Sequence, residues 1–208
     1  MARRAATSPR KQPSQERSRA TVDALLQATA QLLQRDGYDR TSTNRIAEAA
    51  GVSVGSVYQY FPSKEALVAA LIEREVEAQL QVVVDKMAEV VDAPLPVAVR
   101  GMIEAVVASH RVHPRLHKVL TEEVPRVGAL ARLAEMERKL AEMLERALVA
   151  RRREVRPRDL GLAAFLLTYA VEGVLHGAVH SPSRLFDRSE QGVDLIDELT
   201  ELVLRYLA

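Results

Sequence analysis

Residues 41–64 read TSTNRIAEAAGVSVGSVYQYFPSK, a stretch that predicts two short helices joined by a tight turn. Ser42 is the expected cap of the first helix, predicted over residues 43–50, because its hydroxyl can accept a bond from an unpaired amide at the helix start. Gly51 stands where this helix has to end, since glycine adopts the left-handed conformation without a Cβ penalty. The first half of the stretch is therefore a capped helix closed by a glycine.

The second half of the stretch predicts another short helix, over residues 54–61, with Ser53 as its cap. Two helices joined by a three-residue turn that contains glycine form a helix-turn-helix, and the second helix of this motif lies in the DNA major groove. At about 100° per residue, Val57, Tyr60 and Phe61 share the side that packs on the domain. The opposite side carries almost no charge, which favours groove contact over a merely solvated surface.

The outward side of this second helix supplies the predicted contacts with DNA. A glutamine can pair bidentately with adenine, and hydroxyl or apolar atoms can meet the thymine methyl group. The predicted base contacts are Val54, Gly55, Tyr58 and Gln59. The predicted phosphate contacts, which position the unit on the duplex, are Ser42, Thr43, Ser56, Tyr60 and Lys64.

The sequence resembles the TetR family of bacterial transcriptional regulators, closely over residues 17–70. The matching residues are Gly37, Tyr38, Thr41, Ser42, Thr43, Ile46, Ala47, Ala50, Gly51, Val52, Ser53, Gly55, Val57, Tyr58, Tyr60, Phe61, Lys64, Glu65 and Leu67. The resemblance implies a dimeric, ligand-responsive DNA-binding protein that is usually a repressor. A two-fold dimer of this kind is expected to bind a palindromic operator in double-stranded DNA.

The composition of the 208 residues predicts an all-α fold and excludes several kinds of protein. Ala and Leu are abundant, runs of β-branched residues are few, and aromatic residues make up only 4% of the chain, which favours helix throughout. The expected architecture is a three-helix DNA-binding domain followed by a larger helical domain for ligand binding and dimerisation. The absence of cysteine excludes disulfides, thiol catalysis and cysteine-bound zinc, and it favours a cytoplasmic protein.

The N-terminal third of the chain is basic. Residues 1–64 contain ten Lys and Arg against five acids, a balance of +5, whereas the whole chain carries +1. A basic region of this kind is the electrostatic footprint of a nucleic-acid-binding module. Residues 1–16 have little to bury and predict a disordered basic arm, residues 17–70 the DNA-binding domain, and residues 71–208 the regulatory domain.

The rest of the chain predicts further helices. They are expected over residues 17–36, 63–91, 97–110, 115–121, 125–153, 160–180 and 193–207. The longest apolar run, residues 160–171, is shorter than the roughly 20 residues that span a bilayer, so no membrane partner is expected. The first 16 residues lack the apolar segment of a signal peptide.

Two sites are predicted in the regulatory domain. Ligand pockets are mostly apolar with a few polar anchors, and the candidate residues for a pocket that binds a small, largely apolar effector are Met102, Val106, His110, Phe165 and Tyr169. The TetR resemblance implies that the last two helices pair with their copies as a four-helix homodimer interface. The candidate residues for that interface are Gly173, His176, Gly177, Leu199, Leu202 and Tyr206.

Other functions have weaker support in the sequence. Residues 51–55, GVSVG, match the nucleophile elbow of serine hydrolases, but that motif needs a preceding strand and here a helix precedes it. Glu172, His176 and His180 share one helical face, and histidines at this spacing can bind zinc. We nevertheless expect no enzyme activity, cofactor or bound metal. The alternatives are a DNA-binding regulator without a small-molecule effector and a helical metal-dependent enzyme.

Overall fold

The computed structural model describes residues 16–112, 116, 119–120, 129–180 and 195–208. These residues form eight α-helices, and no strand occurs among them, which confirms the predicted all-α fold class. The helices are α1 (Glu16–Arg40), α2 (Thr43–Ala50), α3 (Val54–Tyr60), α4 (Lys64–Glu89), α5 (Leu95–Val112), α6 (Ala129–Ala150), α7 (Leu160–His180) and α8 (Leu195–Leu207). Most of the predicted helix over residues 115–121, the loop after His180 and most of the basic arm lie outside the described residues.

The chain divides into two compact units. The first comprises Met1–Val76 with Arg115–Arg132, and the second comprises Glu77–Pro114 with Leu133–Ala208. Helix α4 contributes residues to both units. The predicted domain limit at residue 70 and the roles assigned to the two domains stay predictions.

The core of the first unit is built from the apolar stripe of α1 and the inner faces of α2, α3 and α4. The residues that are almost completely buried there include Leu25, Leu33, Ile46, Val57, Phe61, Leu67 and Leu71. Helical geometry in α1 breaks at Gly37, whose φ of 78° lies in the region that favours glycine, as the predicted end of this helix required. The predicted buried side of α3 is confirmed for Val57 and Phe61, while Tyr60 is partly buried.

The helix-turn-helix forms as its local chemistry predicts. Ser42 Oγ accepts a hydrogen bond from Arg45 N at the start of α2, and Ser53 Oγ accepts one from Ser56 N at the start of α3. Gly51 has φ 68° and ψ 30°, the left-handed conformation, and its N–H donates to Glu48 O. The elbow-like sequence GVSVG therefore follows a helix, with Gly51 in the turn and Gly55 in α3.

Gly51→Ala is expected to destabilise the protein by about 1 kcal/mol, the usual cost of placing an L side chain in the left-handed region. A Cβ at this position would meet no heavy atom within 4 Å, so the cost comes from the backbone alone. Urea unfolding of Gly51→Ala, of a control variant and of the wild type measures this loss of stability. Gly55→Ala is the matched control, because Gly55 lies in helical α3 and its Cβ would meet only Ser53 Oγ at 3.7 Å. Equal stability of the two variants would contradict the prediction.

The core of the second unit joins residues from α5, α6, α7 and α8. Its most buried members include Ile103, Val107, Leu148, Ala163, Ala164, Leu175 and Leu207. Arg151, directly after α6, donates from Nη2 to the carbonyl oxygens of Val91 and Ala93, at 2.7 Å each. These carbonyls follow α4, so the cation stabilises the exit of another helix.

One segment of α7, Leu160–Ala178, is long and apolar enough to cross a bilayer by length and composition alone. The sequence analysis did not recognise this segment, because it counted only the uninterrupted apolar run of residues 160–171, which ends before Glu172. A third of the segment is already buried inside the chain, and core helices of soluble proteins pass the same test. The absence of a membrane partner therefore stays a prediction.

Candidate nucleic-acid interface

The four predicted base-contacting residues lie on the exposed side of α3. Val54 is 37% exposed and Tyr58 is 42% exposed, and Gly55 and Gln59 are also exposed. Large apolar and aromatic side chains at such exposure leave α3 with a surface that is uncharged and partly apolar. An uncharged, partly apolar surface of this kind can contact base edges and thymine methyl groups.

A hydrogen bond connects the start of α2 to the exposed side of α3. Thr43 Oγ1 lies 3.2 Å from Tyr58 Oη, and either hydroxyl can be the donor. The structure thus brings together one predicted phosphate contact and one predicted base contact that are far apart in sequence. Ser42 and Ser56, two further predicted phosphate contacts, are engaged in the caps, and Ser56 Oγ lies 2.8 Å from Ser53 Oγ.

The last two predicted phosphate contacts are Tyr60 and Lys64, and both anchor neighbouring elements. Tyr60 Oη donates to Ser18 Oγ at 3.2 Å, which connects the end of α3 to the start of α1. Lys64 Nζ donates to Tyr38 O at 2.9 Å and lies 3.8 Å from the centre of the Tyr38 ring, a cation–π contact. These contacts hold the two side chains in place at the edges of the helix-turn-helix.

Glu65 completes this cluster at the start of α4. Tyr38 Oη donates to Glu65 Oε1 at 3.2 Å. Burial and the neighbouring Glu65 carboxylate raise the pKa of Tyr38 to about 12, so the phenol stays protonated and remains a donor at neutral pH. Burial alone would raise the pKa of Glu65, but bonds from its own amide, Ser63 and Tyr38, together with the Lys64 charge, hold it below its ordinary value.

Glu65→Gln is expected to lower the stability of the protein at neutral pH by about 0.5–1 kcal/mol, the range for a carboxylate in the first turn of a helix. A depressed folded-state pKa gives stability that is complete above the ordinary Glu pKa of about 4.3 and is lost as the pH falls through the folded-state value. Denaturant unfolding at pH 7 and at successively lower pH measures the difference between variant and wild type. A difference that stays constant into acid solution would contradict the prediction.

Arg45 positions α2 against α1, a role that the sequence analysis missed. Its Nη2 donates to Asp36 Oδ2 and its Nη1 donates to Arg40 O, each at 2.6 Å. Hydrogen bonds from Arg35 and Arg45 lower the pKa of Asp36, with the Arg35 bond contributing most. Asp36 lies nine residues before Arg45, a separation that neither a helix nor a tight turn brings together. The pair is therefore visible only in the folded structure.

The predicted pocket residues of the second unit do not share one environment. His110 is buried, and Met102 and Val106 are partly buried on the same helix, α5. Phe165 and Tyr169 lie on the exposed side of α7, with Phe165 50% exposed, and their ring centres are 4.6 Å apart. The pocket stays a prediction, and any part formed by these two rings opens on the surface instead of lying in the core.

Four of the six predicted interface residues are exposed, and His176 is partly exposed. Leu202 is 50% exposed, Tyr206 is exposed, and a Cβ added at Gly173 or Gly177 would meet no heavy atom within 4 Å. Leu199 is only 4% exposed and packs in the core of its own chain, so it presents almost no surface to a partner chain, and its assignment to the interface stays a prediction. It belongs to the stripe that α8 buries at i, i+4 and i+8, whereas Leu202 and Tyr206 lie on the neighbouring stripe.

Comparison with known families agrees with this architecture. Residues 94–207, more than half of the chain, match the tetracyclin repressor-like C-terminal domain. Residues 25–71 match the bacterial regulatory proteins of the tetR family. The chain belongs to the TetR family.

Curated relatives match this TetR-family chain over part of its length. The nucleoid occlusion factor SlmA of Actinobacillus pleuropneumoniae is 42% identical over 64 residues, 31% of this chain and 30% of SlmA. The HTH-type transcriptional repressor KstR of Rhodococcus jostii is 42% identical over 53 residues, 26% of this chain and 25% of KstR. The chain thus matches less than a third of the length of each of these relatives.

Solved structures with the same fold cover nearly the whole chain. A protein described as a TetR-family transcriptional regulator from Mesorhizobium loti has a TM-score of 0.74 at 20% identity, over 93% of this chain and all of its own. NalD of Pseudomonas aeruginosa, the secondary repressor of the MexAB-OprM multidrug efflux pump, has a TM-score of 0.69 at 23% identity, over 93% and 98%. SmeT, solved in complex with triclosan, has a TM-score of 0.68 at 23% identity, over 91% and 92%.

Proposed function

We propose that this TetR-family protein is a homodimeric transcriptional repressor that binds a palindromic operator and is released from it by a small, largely apolar ligand. The observation that carries the proposal is the exposed, uncharged side of α3, formed by Val54, Gly55, Tyr58 and Gln59. This side belongs to the second helix of a helix-turn-helix, the helix that enters the major groove in this motif. KstR and NalD, which are similar in sequence or fold, are repressors.

The proposed division of labour follows the position of each side chain. Gln59 and Tyr58 contact base edges by hydrogen bonds. Val54 and Gly55 contact the apolar atoms of bases, such as the thymine methyl group. Thr43 and Lys64 bind phosphates at the edges of the motif, with Ser42, Ser56 and Tyr60 beside them. The basic balance of residues 1–64 strengthens the attraction to the duplex.

The homodimer is supported by exposed apolar residues on α7 and α8. Leu162, Phe165 and Leu166 on α7 and Leu202 and Tyr206 on α8 are each at least 39% exposed. An isolated chain that leaves so many large apolar side chains in water gains by burying them against a copy. Two-fold symmetry then places two α3 helices on half-sites about 34–36 Å, or a multiple of that, apart.

The proposed effector acts through differential affinity for two conformations of the dimer. SmeT has been solved with triclosan, which is a small apolar molecule bound by a protein of this fold. Here the ligand is proposed to contact Met102, Val106 and His110 of α5 together with Phe165 and Tyr169. Helix α4, which has residues in both compact units, is the element proposed to transmit the change.

Selection of genomic DNA fragments by the purified protein, followed by anisotropy titration of the best fragments, tests the proposal. We expect the selected fragments to share an inverted repeat and to bind in the presence of excess competitor DNA. Fragments without a common sequence, bound weakly and with a steep dependence on salt, would contradict sequence-specific binding. An operator complex that no apolar compound dissociates would contradict the ligand response alone.

A further inference from the structure

Three potential metal ligands meet in the second unit. They are His110 from α5 and Glu172 and His176 from α7, and their ligand atoms all lie within 4.8 Å of one another. None of them is a proposed DNA contact, although His110 is also a proposed effector contact. Nε2 of His110 is 3.2 Å from Glu172 Oε2, and Nε2 of His176 is 3.8 Å from the same oxygen. The sequence analysis assigned His176 to the dimer interface, but its imidazole lies beside Glu172.

The burial of this cluster is unusual for its chemistry. The residues His110 and Glu172 are only 5% and 6% exposed, whereas the His176 side chain is 32% exposed. A buried carboxylate is costly unless a cation or several donors compensate its charge. The more exposed His176 leaves a route by which a small ion can enter from water.

The hydrogen bond between His110 and Val106 determines which ring nitrogen faces Glu172. Nδ1 lies 2.9 Å from the carbonyl oxygen of Val106, an acceptor, so Nδ1 carries a proton. In the neutral ring Nε2 then has a lone pair and faces a carboxylate oxygen, and two acceptors do not bond. A proton or a metal ion between Nε2 and Glu172 Oε2 would bridge these two acceptors, which are 3.2 Å apart.

We propose that His110, Glu172 and His176 bind one Zn²⁺ ion per chain. Two imidazole nitrogens and one carboxylate oxygen, with a fourth position left open, are a ligand set that zinc prefers. On binding, Zn²⁺ takes the place of the proton at His110 Nε2, and the Val106 carbonyl fixes the tautomer that presents this nitrogen, as outer partners of zinc ligands usually do. The open position accepts water or an oxygen atom of a small molecule.

The separations of the ligand atoms are close to those of a tetrahedral zinc site. Zinc bonds of about 2.0–2.2 Å place neighbouring ligand atoms roughly 3.3–3.5 Å apart. The His110–Glu172 distance of 3.2 Å and the His176–Glu172 distance of 3.8 Å are near this range. All the ligand atoms lie within 4.8 Å of one another, so Zn²⁺ binding would draw the more exposed His176 ring toward His110. Magnesium and calcium prefer oxygen ligands alone, so the two histidines discriminate against them.

Metal titration without DNA tests this inference independently of the proposed function. Tag-free protein, stripped with a chelator, is titrated calorimetrically with Zn²⁺ and separately with Mg²⁺. We expect one Zn²⁺ per chain, no measurable Mg²⁺ binding, and at least a hundredfold weaker Zn²⁺ binding in His176→Ala and in Glu172→Gln. Glu201→Gln is the control, because Glu201 is an exposed carboxylate paired with Arg205 on α8, and its zinc affinity should equal that of the wild type.

The outcomes separate a zinc site from a metal-free His–Glu ion pair. Circular dichroism establishes that each variant is folded. His176→Ala is expected to disturb the fold less than Glu172→Gln, because the His176 side chain is 32% exposed and the Glu172 side chain is 7% exposed. Absence of Zn²⁺ binding in the wild type, or unchanged affinity in His176→Ala, would overturn the proposal. So would Mg²⁺ binding of equal strength, because oxygen ligands elsewhere would then explain the metal.

Discussion

Leu202→Glu is expected to convert the homodimer into a monomer and to weaken operator binding by at least a hundredfold. Leu202 is 50% exposed on the outer stripe of α8, so the substitution leaves the core of the chain intact. In a two-fold interface each substitution appears twice, and both carboxylates would have to be buried without partners. Burying two unpaired carboxylates costs several kcal/mol, which is enough to prevent association at micromolar concentration.

Val97→Glu is the matched control for this loss of dimerisation. Val97 is 56% exposed on α5, outside the two helices proposed for the interface, and the substitution introduces the same charge at an exposed apolar site. Light scattering measures the mass of each variant, and anisotropy measures its operator affinity. A Leu202→Glu protein that remains dimeric, or a Val97→Glu protein that dissociates equally, would place the interface elsewhere. A monomer that binds the operator with full affinity would contradict the need for a dimer.

The local chemistry of the helix-turn-helix was predictable because each decision depends on adjacent residues. Ser42 and Ser53 cap helices through bonds to amides three positions later, and Gly51 takes a backbone conformation that its own lack of Cβ permits. The exposed and buried sides of α3 follow from the helical repeat alone. The fully buried side chains Val57 and Phe61 could therefore be predicted from the sequence.

The pairings between distant elements could not be predicted in the same way. Thr43 with Tyr58 and Arg45 with Asp36 connect separate helices whose relative placement no local pattern encodes. Leu199 illustrates a second limit. Helix α8 has two neighbouring apolar stripes that could each be buried, and the sequence does not say which of them packs inside the chain. The sequence offered His110 as a pocket residue, and only the fold places it against Glu172 of another helix.

Gln59→Ala is expected to weaken binding to the selected operator by at least about thirtyfold, the equivalent of about 2 kcal/mol over the two half-sites. A bidentate glutamine–adenine pair contributes roughly 1–3 kcal/mol of discrimination, and the dimer makes the contact in both half-sites. Because glutamine is uncharged, the slope of log affinity against log salt concentration should stay that of the wild type. Anisotropy titrations at two salt concentrations, on the operator and on an unrelated duplex, measure both quantities.

Gln81→Ala and Tyr58→Phe show whether this loss belongs to the exposed side of α3. Gln81 donates to Asp85 on α4, far along the chain from α3, so its replacement should leave operator affinity unchanged. Tyr58→Phe keeps the ring but removes the hydroxyl 3.2 Å from Thr43 Oγ1, so a moderate loss is expected if that hydroxyl positions α2 or contacts a base. If Gln59→Ala lowers binding to the operator and to the unrelated duplex equally, the residue contributes affinity without specificity. If neither α3 variant affects binding, another surface reads the DNA.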